Sequence, residues 1–168
     1  MTLEPLPDNL AQQTGAYRRA LGTFATGVCI VTADSEAGPL GITINSFTSV
    51  SLEPRLVLWC LDERSERWPA FAAADRFAIH VMGSGEQAQA DRFARGVWSL
   101  TDGEFERRGE SAPRLPGALT RLECRVHDRI QMGDHLIIVG RVEAFESLAG
   151  DGLTYFRGRY GVATETGA

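Results

Sequence analysis

Two apolar, β-branched runs separated only by a turn set the first constraint on this chain. VCIVTA (Val28 to Ala33) runs into DSEAGP, and Leu40 to Asn45 returns as a second apolar run. So short a connection joins antiparallel strands, because a parallel pair needs a crossover of about a dozen residues or more. The spacing continues down the chain. Arg55 to Leu61 reads as a third strand and Phe77 to Met82 as a fourth. Arg121 to Val126 alternates, with Leu122, Cys124 and Val126 on one face and Arg121, Glu123 and Arg125 on the other. His135 to Phe145 is a longer strand with Gly140 at a bend or bulge, and Leu153 to Tyr160 adds an edge strand. Turns, not regularly spaced helices, separate these runs, which excludes a repeating βαβ chain. The expected fold is mainly β: a closed or nearly closed antiparallel barrel with peripheral helices.

Three helices are expected around it. Leu10, Tyr17, Leu21 and Phe24 recur at helical spacing within Asn9 to Phe24, with Asn9 as its cap. Ser65 to Ala74 is a second, with Ser65 a possible cap and Pro69 in its first turns. Glu86 to Ala94 is a third. Arg95 to Pro116 is rich in Gly, Ser, Pro and charge and reads as a loop, with at most a short strand near Glu104 to Arg107. Residues 1–8 carry two prolines and two acids and read as a flexible arm, leaving 9–165 as a single domain.

A chain of 168 residues can bury a real core, and a net charge of -5 without a basic stripe argues against nucleic acid as the main partner. An anionic ligand would need a local basic site. No apolar run is long enough to span a membrane, and the N-terminus lacks the pattern of a signal peptide. Cys29, Cys60 and Cys124 are odd in number and lie in separate strand-like runs, as expected of small buried hydrophobes in the cytoplasm. His80, His127 and His135 have no metal-ligand spacing, so no metal site is expected. Walker, GxGxxG and GxSxG motifs are absent, so an enzyme of this kind would take its hard chemistry from an organic cofactor.

Between the strands of Gly41 to Cys60 lie Thr43, Asn45, Ser46, Thr48, Ser49 and Ser51. Residue by residue this is either a plain Ser/Thr connection or an uncharged surface that reads a polar planar ligand or cradles a phosphate. His80 is either a half-buried strand histidine or a ligand contact. His135, at a strand entry after a turn, is either solvated or functional. Arg67 and Arg92 are by themselves solvated helix arginines, Ser65 a helix cap, and Trp59, Trp68 and Trp98 packing residues.

Eight segments in one order resolve these alternatives. They are RRALGTFATGVCIVTA (Arg18 to Ala33), GITINSFTSVSLEPRLVLWC (Gly41 to Cys60), SER (Ser65 to Arg67), DRFAIHVM (Asp75 to Met82), EQAQADRFA (Glu86 to Ala94), LECRV (Leu122 to Val126), GDHLIIVGRV (Gly133 to Val142) and LTYFRGRYG (Leu153 to Gly161). Together they resemble the short-chain flavin reductases, the NAD(P)H:flavin oxidoreductase components of two-component monooxygenases. The resemblance implies an FMN-binding split β-barrel with Greek-key-like order, working as a homodimer on FMN or FAD with NADH or NADPH. It places Thr43, Asn45 and Ser46 on the flavin with Ser51 nearby, and Cys60 and Asp62 along the ribityl chain and phosphate. It places Ser65 and Arg67 on the phosphate, with Arg92 and Phe93 closing over the cofactor. The strand residue His80 is a further implied contact, where the family often has Asn. His135 lies on the nicotinamide side as the catalytic residue, and Tyr160 encloses that side. Arg55 after Pro54 and the short segment Arg95 to Pro116 also depart from the family pattern. The rival readings are a flavin or haem carrier or sensor, and an oxidase that holds its flavin tightly.

Overall fold

The computed structural model describes residues 9–165. The expected arm of residues 1–8 lies outside them. The chain runs α1 (Leu10–Leu21), β1 (Thr26–Gly27), β2 (Cys29–Ser35), β3 (Gly38–Ile44), β4 (Thr48–Leu52), β5 (Arg55–Asp62), α2 (Trp68–Ala73) and β6 (Arg76–Met82). After a single 3-10 turn come α3 (Gln87–Ala94), β7 (Ala118–Met132), β8 (His135–Ser147), β9 (Gly152–Phe156) and β10 (Arg159–Ala163).

The main sheet has seven strands in the order β3-β2-β6-β7-β8-β5-β4, every neighbouring pair antiparallel. β6, β7 and β8 follow one another, and β5 lies beside β8, which is the Greek-key order. β3 and β4 stand at the two edges, so the sheet does not close on itself and the barrel is split. A smaller sheet, β1-β9-β10, is joined to it through Val28 N–H to Leu153 O at 3.1 Å.

Trp59, Phe71 and Phe77 form the centre of the larger core, with ring centroids 5.3 and 6.0 Å from Trp59 in edge-on contact. Phe71 is the buried residue of α2, and it fixes that helix to the sheet. Ala90 and Phe93 do the same for α3 in a second cluster with Val28, Ile30, Met82, Leu115 and Leu153. Burying one such phenyl ring contributes about 1.5–3 kcal/mol. Gly41 is required by this packing: a Cβ there would stand 2.9 Å from the Phe93 ring. Gly140 serves Phe77 in the same way, at 2.4 Å, on the strand where a bend or bulge was expected.

Asn9 caps α1 as the sequence predicts, its Oδ1 accepting from Ala11 N–H at 2.9 Å. α1 buries none of its residues, and Tyr17 and Leu21 are more than half exposed. Several elements depart from expectation. The hydroxyl-rich loop is partly strand: β4 pairs with β5, and its residues are nearly all exposed, so no buried alternation announced it. α2 begins at Trp68, and Ser65 does not cap it: the Ser65 Oγ accepts the Arg67 N–H at 3.3 Å within a turn ahead of the helix. The expected edge strand is a hairpin, β9–β10, turning at Arg157 and Gly158 with φ of 49° and 79°. The segment 95–116 is a loop, as expected, and it is fastened to the barrel. Gly41 N–H donates to Trp98 O at 2.8 Å, and Thr32 Oγ1 donates to Pro113 O at 2.5 Å. No helix among the described residues is long and apolar enough to cross a membrane.

Candidate functional site

The loop that leaves β3 is tied to β5 by one side chain: Ser46 Oγ accepts the Cys60 N–H at 3.0 Å. Two residues on, Asp62 lies opposite His135 in the β5–β8 register. The chain then turns, with Ser65 N–H bonded to Asp62 O at 3.0 Å. Arg67 folds back so that its Nη1 donates to Phe93 O at 2.6 Å, at the end of α3. Ser46, Cys60, Asp62, Ser65, Arg67 and His135 therefore lie along one stretch of surface, gathered from four separate segments.

Arg67 is the chemically conspicuous member. Its side chain is half-buried, and burial pushes its pKa down. The other well-covered arginines meet carboxylates: Arg92 with Glu104, and Arg114 and Arg121 with Glu146. Among the described residues Arg67 has no carboxylate within ion-pair distance. A partly desolvated guanidinium without a counter-ion is a site prepared for an anion. The Ser65 hydroxyl beside it, 3.5 Å from Arg67 Nε, adds a neutral donor. This donor set fits a phosphate.

Arg67 reaches Phe93 O, one residue before Ala94 in the wall of a cleft of about 600 Å³ that is lined by Thr43, Asn45, Gln87, Asp91, Arg95, Tyr155, Arg159 and Tyr160 among others. That volume is in the range of sites for small organic ligands, about 300–1,000 Å³. Thr43 Oγ1 is anchored on Ala90 O at 2.7 Å, which holds β3 against α3 at the cleft wall. Tyr155 and Tyr160 meet edge-on with centroids 5.4 Å apart, and burial together with Asp91 raises the Tyr160 phenol pKa. The cleft wall combines hydroxyls and amides with Asp91, Arg95 and Arg159, while Arg67 and Ser65 are not among its lining residues; donors and acceptors of the first kind suit a flavin ring edge, and a guanidinium of the second kind suits its phosphate.

Two expected contacts, His80 and Phe93, are corrected by their burial, and two more, Arg92 and Ser51, have other partners in this structure. His80 is fully buried, and each ring nitrogen is engaged. Its Nε2 accepts the Leu115 N–H and its Nδ1 lies against Ile30 O, both at 3.0 Å, so Nδ1 carries the proton and donates. Burial pushes the imidazole pKa down to about 4. His80 is a neutral bolt between β2, β6 and the 95–116 loop, not a ligand contact. The Phe93 ring is likewise fully buried, and only its carbonyl reaches the site, through Arg67. Arg92 holds the loop rather than a phosphate, donating to Glu104 Oε1 at 2.5 Å and Ser99 O at 2.9 Å while lying over the Phe93 ring. Ser51 pairs with Leu56, four positions along β5 from Cys60, which is about 13 Å away at strand rise. Gln87, Asp91, Tyr155 and Arg159 were not anticipated. Asp91 and Arg159 stood within the DRFA and RGRYG segments, where neighbouring residues drew the attention.

Residues 21–164 match the model of the flavin reductase like domain. The chain is 43% identical over 150 residues to the FMN reductase (NADH) of Agrobacterium fabrum, covering 89% of this chain and 86% of that protein. It is 35% identical to the reductase component of a 4-nitrophenol 4-monooxygenase/4-nitrocatechol 2-monooxygenase of Rhodococcus opacus, covering 96% and 88%. Other relatives are longer: the chain spans 47% of a probable flavin reductase of Rhizobium meliloti. Among solved structures, it superposes on the NADH:FAD oxidoreductase of Streptomyces globisporus C-1027 with a TM-score of 0.81 at 35% identity, over 95% of this chain and 97% of that one.

Proposed function

The chain belongs to the flavin reductase like domain family, and on that premise we propose that it reduces FMN or FAD with NADH or NADPH and delivers the reduced flavin to a separate monooxygenase. When nicotinamide and flavin are bound side by side, the first gives up a hydride and the second takes up that hydride and a proton. The protein's own part is to place and shield them. Thr43 and Asn45 line the cleft as neutral hydrogen-bonding groups, and Ser46 and Cys60 continue the surface toward Asp62. Ser65 and Arg67 hold the phosphate. Tyr160 walls the cleft, and His135 stands on the nicotinamide side at the entry to β8. Holding two rings face to face and away from water supplies the rate, so no side chain need act as acid or base.

The observation that carries this reading is Arg67, half-buried and, among the described residues, with no carboxylate within ion-pair distance, beside the Ser65 hydroxyl. The test compares FMN with riboflavin, which lacks the phosphate. The purified protein is expected to oxidise NADH only when flavin is added. Arg67→Ala is expected to weaken FMN about 10–100-fold, the worth of one charge-assisted hydrogen bond, and to leave riboflavin nearly unaffected. An absence of flavin-dependent NAD(P)H oxidation overturns the proposal, and equal losses for FMN and riboflavin remove Arg67 from the phosphate site.

The relative from Rhodococcus opacus, a reductase component, supports a separate oxygenase as the partner. Exposed apolar side chains support a homodimer: Leu10, Tyr17 and Phe24 on and after α1, and Val50 and Leu52 on the edge strand β4. Three free cysteines, two of them buried, suit the cytoplasm. Residues 9–165 act in this reading as one catalytic unit.

A further inference from the structure

Beyond the residues that face the ligands, a chain of charged side chains ends on His135. Arg64 grips Asp62 with both ends of its guanidinium, Nε to Oδ1 and Nη2 to Oδ2, each at 3.1 Å. Its backbone N–H bonds the same carboxylate at 2.9 Å. The Nη2 also stands 3.6 Å from Asp134 Oδ2. The other oxygen of Asp134, Oδ1, lies 2.7 Å from His135 Nδ1. The backbone fixes the frame of this chain. Asp62 faces His135 in the β5–β8 register, and Glu63 N–H donates to Asp134 O at 3.0 Å.

An ionised carboxylate only accepts hydrogen bonds, so the proton on this contact belongs to Nδ1. His135 bonding lowers the Asp134 pKa, which keeps the acceptor ionised. A neutral imidazole with Nδ1–H has its lone pair on Nε2, the nitrogen that points away from Asp134. We propose that Asp134 and Arg64 are positioning residues: Asp134 fixes the tautomer and ring direction of His135, and Arg64 steadies Asp134 by bridging it to Asp62. Arg64 belongs to the same turn as Ser65 and Arg67, so the imidazole and the phosphate turn are set by one short piece of chain. The catalytic importance of His135 rests on the flavin reductase reading; its positioning does not.

The chain has three histidines, so ring nitrogen signals are readily assigned by long-range ¹H–¹⁵N NMR of the ligand-free protein. Neutral His135 is expected as the Nδ1–H tautomer. Asp134→Ala and Arg64→Ala are expected to move it toward Nε2–H, with Arg64→Lys restoring most of the native signal. The charged groups around the imidazole are Asp134, Asp62 and Arg64. With FMN and NADH, kcat/KM in the Ala variants is expected to fall roughly tenfold, the low end for outer partners of a functional histidine, with a displaced pH profile. A wild-type Nε2–H tautomer, or a tautomer unchanged in both Ala variants, overturns the proposal. A changed tautomer with unchanged turnover upholds the positioning and instead removes His135 from catalysis.

Discussion

His80 shows how much one buried side chain can decide. Its imidazole is neutral because burial makes the charged form costly, and both nitrogens are already committed to Ile30 and Leu115. The unfolded chain takes up a proton near pH 6.5, whereas the folded chain resists until about 4. Stability is therefore whole above pH 6.5 and is lost progressively as the pH falls through that window, by on the order of 3 kcal/mol for this residue. Denaturant unfolding of the wild type at pH 7 and pH 4.5 should show that loss, and His80→Gln should be less stable at pH 7 but less sensitive to acid. From sequence, His80 was a candidate ligand because a histidine on an otherwise apolar strand invites one. Its partners lie on β2 and on a loop 35 residues downstream, and no local pattern reports such contacts. Arg92 was misplaced for the same reason, since Glu104 and Ser99 reach it only once the loop has folded back. Arg67 was expected on a phosphate only through the family resemblance, and that role is a proposal. What the sequence lacked was the burial that gives its charge a purpose.

Among the elements, the strands were legible wherever burial imposes a pattern. β2, β3, β5 and β6 each carry buried apolar residues along their length. β4 was not, because an exposed edge strand can be built of hydroxyls without penalty, and TSVSL reads as a loop until its pairing with β5 is seen. The contact between β3 and α3 makes the sharpest test at this scale. Gly41 brings the strand against the Phe93 ring, and the same helix end presents Phe93 O to Arg67. Gly41→Ala should cost about 1–3 kcal/mol through overpacking, read as a lower melting temperature. Pairing it with Phe93→Leu should recover part of the loss. Flavin affinity should fall with the single substitution, since a displaced α3 moves the carbonyl that orients Arg67.

Across the whole molecule, the proposed site draws on several separate elements. β3 supplies Thr43, the loop after it Asn45 and Ser46, β5 supplies Cys60 and Asp62, and β10 supplies Tyr160. Exposed apolar residues stand on several elements, and the two most exposed are Leu52 of β4, at 88%, and Leu10 of α1, at 77%. In the proposed homodimer a second chain covers α1, the helix that buries nothing in its own chain. Sedimentation velocity should find a dimer, and Leu52→Glu combined with Tyr17→Glu should shift it toward monomer. A wild type that stays monomeric at tens of micromolar, well above the affinity of a stable interface, would leave α1 without a role.

The bolt at His80 also bears on how such a scaffold can be refitted. The 95–116 loop is pinned at its start by Trp98 and Arg92, and at its end by Leu115. Only the last of these anchors draws on a side chain of the strand beneath. A loop transplanted from a relative with Asn at position 80 arrives cut for a different fastening. The strand residue and the loop therefore form one exchangeable cassette: a graft that moves the loop without position 80 loses the bond to Leu115 N–H and leaves its trailing end held by Thr32 on Pro113 O and Arg121 on Leu115 O.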